Sequence, residues 1–131
     1  MADTRVEVAR FAVAGVLGLI TDVAALYLAL ALGMGPFAGR AVSFLCAVAV
    51  TWQFNRRYTF SSKPGISAWR EWWNYLAAML LGGAVNYGVY SALILTIRDV
   101  PLLPLAAVAA GSLAGMTVNF VNAKYFIFRS R

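Results

Sequence analysis

The chain of 131 residues contains no histidine, one cysteine and only five acidic residues. Each scarcity removes a class of chemistry. Without His, and with Cys46 alone in an apolar run, neither a metal ligand set nor a nucleophile with a positioned imidazole base can be assembled. A lone cysteine forms no internal disulfide, so Cys46 reads as a small core residue. Four of the acids, Asp3, Glu7, Glu71 and Asp99, lie in tails or at the edges of apolar stretches, and no carboxylate pair suggests acid–base catalysis. A glycine-rich phosphate loop followed by Lys and Ser or Thr is also missing, which argues against nucleotide-driven work. The inventory reads as that of a protein that is not an enzyme and uses no cofactor.

What the chain has is apolar surface: 62% of its residues are hydrophobic and 12% charged, against roughly a quarter charged in soluble domains. About 20 apolar residues cross the hydrocarbon of a bilayer. Four stretches qualify: Phe11 to Leu32 broken only by Asp22, Pro36 to Asn55 broken only by Arg40, Trp72 to Ile97, and Val100 to Ala123. The expectation is an all-α membrane protein of four transmembrane helices, forming one domain over residues 1–131. Its connections are 33–35, the basic loop within 56–71, and 98–99. Arg5 and Arg10 before the first apolar run resemble the start of a signal peptide. That run is too long, carries Asp22 and has its pattern repeated in the third span, so it is expected to be a retained helix.

Orientation follows from Lys and Arg near the helix ends. Arg5, Arg10, Arg56, Arg57, Lys63, Arg70, Lys124, Arg129 and Arg131 fall on one side, and only Arg40 and Arg98 on the other. Both termini are therefore expected in the cytoplasm. The charge of +6 is accounted for by topology and does not point to nucleic acid. Trp52, Tyr58, Trp69, Trp72, Trp73, Tyr75 and Tyr125 gather at the same boundary, where an apolar ring with a polar tip is suited to the interface.

The chain also says the same thing twice. A shift of 64 places Phe11 on Tyr75, Gly18 on Gly82 and Asp22 on Asn86; a shift of 68 places TWQFNRRYTF (51–60) on NFVNAKYFIF (119–128). This predicts two repeated helical hairpins, about 10–60 and 72–128, separated by a basic loop at 61–71. Small residues let helices approach closely in lipid. Ala107, Gly111, Gly115 and Asn119 form such a stripe on the last span, and Ser43, Ala47, Thr51 and Asn55 its counterpart on the second. Glycines 15, 18, 82, 83 and 88 are expected to serve the first and third helices similarly, in a compact four-helix bundle that self-associates.

Polar groups inside the hydrocarbon persist only with a partner or a wet cavity, since a charge there costs about 2.5–3.5 kcal/mol on insertion scales. Helical rise places Asp22 about 18 Å and Arg40 about 22 Å above the basic side, so the two can meet as an ion pair. Alternatively, Arg40 receives an anionic headgroup. Asp22, Arg40, Asn86 and Thr51 together form a candidate polar pathway. The two basic endings are the other candidate site: Asn55, Arg56 and Arg57 in one copy, and Asn119, Asn122 and Lys124 in the other. Guanidinium and amide donors of this kind suit a phosphate and sugar hydroxyls. Anionic membrane lipids would draw the same cations.

These duplicated endings, together with the opening RFAVAGVLGLITDVAALYLAL, resemble the GtrA family of small four-span membrane proteins over roughly Arg10 to Phe128. The resemblance implies translocation of a polyprenyl-phosphate-linked monosaccharide across the bacterial cytoplasmic (inner) membrane, for building or modifying surface polysaccharide. It also implies a polyprenyl-phosphate sugar lipid and a polyprenyl-phosphate glycosyltransferase as partners. Asn55, Arg56, Tyr58 and Phe60 match the first family ending, and Asn119, Lys124, Phe126 and Phe128 the second. Thr51 and Ala123 depart from the pattern, which weights headgroup contact to the first copy. Two rivals stand beside this reading. One is a membrane adaptor that recruits a glycosyltransferase through the loop and Trp69, Trp72 and Trp73; the other is a small proton-coupled exporter built on Asp22, against which Arg40 argues.

Overall fold

A computed structural model describes residues 3–101 and 103–131. Four long helices run through them: α1 (Thr4–Ala31), α2 (Pro36–Phe54), α3 (Ala68–Thr96) and α4 (Leu103–Asn122). Beyond the expected helices, α2 and α4 each continue into a five-residue π-turn, Asn55–Thr59 and Ala123–Ile127. Each π-turn feeds a short strand, β1 (Phe60–Ser62) or β2 (Phe128–Ser130). Among the described residues, Thr4–Ala31, Pro36–Thr59 and Ala68–Thr96 are long and apolar enough to cross a membrane.

Local chemistry sets these boundaries. Asp3 caps α1, its Oδ1 accepting from the Arg5 amide at 2.9 Å. The other end of α1 closes through Gly33 at φ 91°, whose amide bonds the Leu30 carbonyl while that of Met34 bonds the Ala29 carbonyl. This is the left-handed stop that glycine allows without strain. Pro36 then opens α2, where its missing amide proton is no loss. Ser67 begins α3 by accepting the Arg70 amide on Oγ at 3.2 Å.

The chain folds as two compact units, one reaching from the amino end to Trp72 and reclaiming Phe128–Arg131, the other Trp73–Ile127. In the first, α1 and α2 pack through small residues. A methyl added at Gly18 would meet Thr51 Cγ2 at 2.6 Å, and one at Gly39 would touch Leu26, Ala29 and Leu30. In the second, a methyl at Gly111 would meet the Asn86 carbonyl oxygen at 2.6 Å, and one at Gly115 the Gly82 carbonyl oxygen at 2.7 Å. Gly82 itself lies against the Asn119 amide. Gly18 with Thr51 and Gly82 with Asn119 are the same pair in the two copies, so the repeat extends to helix contacts. Gly15, Gly83 and Gly88 are corrections to the sequence reading: nothing lies within 4 Å of the position a methyl would take.

The base of the first unit is aromatic. Phe60 and Phe128, the closing residues of the two copies, are buried and stack at 5.6 Å with planes 12° apart, and Phe11 tilts against Phe60 at 6.4 Å. The ribbon that carries them is antiparallel, pairing Phe60 with Ser130, Ser61 with Arg129 and Ser62 with Phe128. Equivalent residues thus exchange places across the pairing, giving the ribbon a local two-fold symmetry. In the first π-turn the Phe60 amide bonds the Asn55 carbonyl five residues back. That wider turn lets Asn55, Thr59 and Phe60 all be buried. Tyr75, expected in the interfacial aromatic belt, is instead fully buried.

Candidate functional site

The first π-turn divides its residues between an interior and an exterior. Inside, Asn55 is 1% exposed and its Oδ1 accepts from Thr59 Oγ1 at 2.9 Å. Arg56 lies against the buried carboxylate of Glu71, Nε to Oε1 at 3.0 Å, with its guanidinium 4.9 Å from the centroid of the Trp52 ring. Trp52 Nε1 donates to the same Oε1 at 2.9 Å, and the Trp72 ring meets Trp52 edge-on at 5.4 Å. Glu71 Oε2 is buried without a hydrogen-bond partner among the described residues. Burial of one carboxylate oxygen with two donors, one of them a cation, offsets part of its desolvation.

Outside, Arg57 and Tyr58 are exposed. Arg57 lines a pocket of about 320 Å³ with Arg10, Phe54, Tyr58 and Arg131. Arg10 Nη1 donates to the Tyr58 carbonyl at 2.8 Å, which ties α1 to the π-turn. The Phe54 and Tyr58 rings tilt together at 4.9 Å. Among the described residues, three guanidinium groups and no carboxylate border this space, an arrangement suited to an anion. Phe54, Arg57 and Tyr58 also line a second cavity, about 360 Å³, with Leu17, Ala49, Val50 and Gln53. The basic pocket and a largely apolar groove, lined by residues of α1, α2 and the first π-turn, therefore share Phe54, Arg57 and Tyr58 as a common wall.

The remaining expected residues fall into separate groups. Asp22 and Arg40 form an ion pair, and Arg40 Nη1 also reaches Ser43 Oγ at 3.2 Å. Asp22 is the more enclosed partner, with 18% of its side chain exposed against 58% for Arg40. Thr51 donates to the Val48 carbonyl at 3.0 Å and packs on Gly18. In the second unit Asn119 Oδ1 is buried beside Gly82 without a hydrogen-bond partner among the described residues, Asn122 is half-buried, and Lys124 Nζ sits 5.9 Å from the Phe120 ring centroid and 5.6 Å from that of Tyr125. Asn86 borders a cavity with Gly83, Tyr87, Tyr90 and Ser112. Of Asn55, Arg56 and Arg57, only Arg57 reaches the basic pocket. Of the three tryptophans read as a docking surface, Trp69 and Trp73 are exposed and Trp72 packs on Trp52.

Sequence reasoning passed over Arg10 and Arg131, treated as topology charges, and Glu7 and Glu71, treated as edge acids. Both glutamates are buried, Glu7 at 1% and Glu71 at 2% exposure, and Ser130 Oγ donates to Glu7 at 3.2 Å. A signal was present: the shift of 64 that aligns Gly18 with Gly82 also places Glu7 on Glu71. An acid recurring at the start of each hairpin has no topological explanation, because Asp and Glu contribute little to orientation.

No curated protein matches the chain. The family profile described as the GtrA/DPMS transmembrane domain matches residues 10–128, a span that takes in both hairpins, both π-turns and the first residue of β2. This is a helical membrane protein, and the chain belongs to the GtrA/DPMS transmembrane domain family.

Proposed function

We propose that this protein moves a polyprenyl-phosphate-linked monosaccharide across the bacterial cytoplasmic membrane, for synthesis or modification of a surface polysaccharide. In this reading α4 is a fourth span. Its 20 residues rise about 30 Å, the thickness of the hydrocarbon. Both termini then face the cytoplasm with the basic loop. Arg10 before the first span, Arg57 after the second and Arg131 at the carboxyl end share one pocket, which supports a common side for all three.

The observation that carries the proposal is the junction of the basic pocket with the apolar groove through Phe54, Arg57 and Tyr58. A prenyl phosphate has the same order of parts: an anionic head, then a branched hydrocarbon. The guanidinium groups hold the phosphate by charge-assisted hydrogen bonds, and Leu17, Ala49 and Val50 shelter the first prenyl carbons while the rest of the tail stays in lipid. Arg56, drawn to Glu71, supports the π-turn from behind. Transport needs no catalytic group, because the headgroup only has to be sheltered during passage. Consumption of the sugar donor outside gives the direction.

The test is transbilayer exposure of a radiolabelled polyprenyl-phosphate glucose in vesicles carrying the purified protein. Accelerated exposure over protein-free vesicles is expected. Arg57→Ala together with Arg10→Ala should weaken prenyl phosphate binding about 100-fold, as expected for two lost charge-assisted contacts of about 1.5 kcal/mol each. Exposure equal to that in empty vesicles, with a glycosyltransferase still co-purifying, would support the recruiter reading, for which the exposed Trp69 and Trp73 are the docking residues. The exporter reading is disfavoured by the pairing of Asp22 with Arg40.

A further inference from the structure

On the surface of the second unit, beside the contacts that Asn86 makes with Gly111 and Gly115, an open groove of about 270 Å³ is lined by Gly83, Asn86, Tyr87, Tyr90 and Ser112, with Gly83, Tyr87 and Ser112 exposed. Its position along the helices is deep. Asn86 lies ten residues before the end of α3 at Thr96, and Ser112 nine residues after the start of α4 at Leu103, distances of about 15 Å and 14 Å along helices. Four of the five described lining residues carry a hydrogen-bonding side chain. None of those four side chains bonds another described residue, whereas Thr96 and Thr117, on the same two helices, each donate back to the carbonyl four residues earlier. Polar groups at hydrocarbon depth are retained against a cost of desolvation when a cavity or ligand satisfies them.

We infer that this cavity binds an uncharged glycosyl group. None of its described lining residues is Lys, Arg, Asp or Glu, in contrast to the three guanidinium groups of the basic pocket. The donors and acceptors are those a ring of hydroxyls requires: the Asn86 amide, whose Oδ1 lies against Gly111, offers its NH2 donors, and Ser112, Tyr87 and Tyr90 each offer a hydroxyl that both donates and accepts. Two tyrosine rings supply apolar faces for the C–H surface of a pyranose, and Gly83 leaves room, since nothing stands within 4 Å of where its methyl would be. An acidic sugar would bring a carboxylate to a place with no cation to receive it, and an amino sugar an ammonium with no acid. The inference rests on the proposed function for the source of the sugar, a lipid-linked monosaccharide, and narrows that substrate to the neutral ones.

The test uses the purified protein in lipid nanodiscs and three radiolabelled probes. Octyl glucoside and octyl glucuronide, below their micellar concentrations, share a tail and differ in charge; farnesyl phosphate reports the basic pocket by itself. Octyl glucoside should bind about tenfold more tightly than the glucuronide. Ser112→Ala combined with Tyr90→Phe removes two hydroxyls with little change of shape. It should erase that difference, each hydroxyl contributing about three- to tenfold, and leave farnesyl phosphate binding unchanged. Equal binding of glucoside and glucuronide, or a difference that survives these substitutions, overturns the inference. Failure of the wild-type protein to bind farnesyl phosphate, with octyl glucoside binding still dependent on Ser112 and Tyr90, would remove the prenyl phosphate reading and leave this pocket standing.

Discussion

Replacing Glu71 with Ala should destabilise the protein by about 3 kcal/mol, the low end of the range for breaking a buried ion pair. The low end applies because Arg56 keeps 27% of its side chain exposed and can partly rehydrate. Three things are lost together: the acceptor for Trp52 Nε1, the counter-charge for Arg56 and the volume between them. Glu71→Gln should be milder, since it preserves an acceptor but places an amide where Oε2 now has no partner. Trp52 and Trp72 lie in the cluster, so denaturation in detergent followed by tryptophan fluorescence reads it directly. A double-mutant cycle with Arg56→Ala should give a coupling of at least 1 kcal/mol. Additive effects, or an unchanged midpoint for Glu71→Ala, would mean that the acid contributes nothing to the π-turn it faces.

A single methyl at Gly115 should cost a comparable amount, about 3 kcal/mol, at the top of the range for overpacking. The added carbon would sit 2.7 Å from the Gly82 carbonyl oxygen and 2.8 Å from Asn86 Cβ. Neither atom is at the end of a flexible side chain, so relief requires α3 and α4 to separate along their length. Gly88→Ala is the control, because its surroundings are open; there the better helix propensity of alanine should leave stability unchanged or raise it by up to about 1 kcal/mol. Thermal melting of both variants by far-ultraviolet circular dichroism distinguishes them. Equal melting temperatures would sink the claim that α3 and α4 are held by backbone approach.

Particular residues show what could be read in advance. The small-residue stripes were legible because lipid offers helices little other than close approach, so Gly18, Gly82, Gly111 and Gly115 occur where contact requires them. Gly15, Gly83 and Gly88 carry the same letter without the contact, since composition does not say which side of a helix a partner takes. Helical rise allowed the pairing of Asp22 with Arg40 but left open Arg40 as the receiver of an anion; the structure pairs them. The ribbon did not: Phe60 to Ser62 and Phe128 to Ser130 are too short to show a strand's alternation, and their pairing spans almost the whole length between the two copies.

The sequence by itself determined the solvent, the helices and the duplication, because apolar length, turn residues and repeated letters are local quantities that burial in lipid reads one segment at a time. Tertiary structure alone decided which cations are available. Arg56 and Arg57 are neighbours in the chain, but the widened turn pairs one with Glu71 and exposes the other beside Arg10 and Arg131. The physical reason is that a charge is defined by what stands within a few ångströms of it, and those groups come from residues 10, 71 and 131 rather than from the motif.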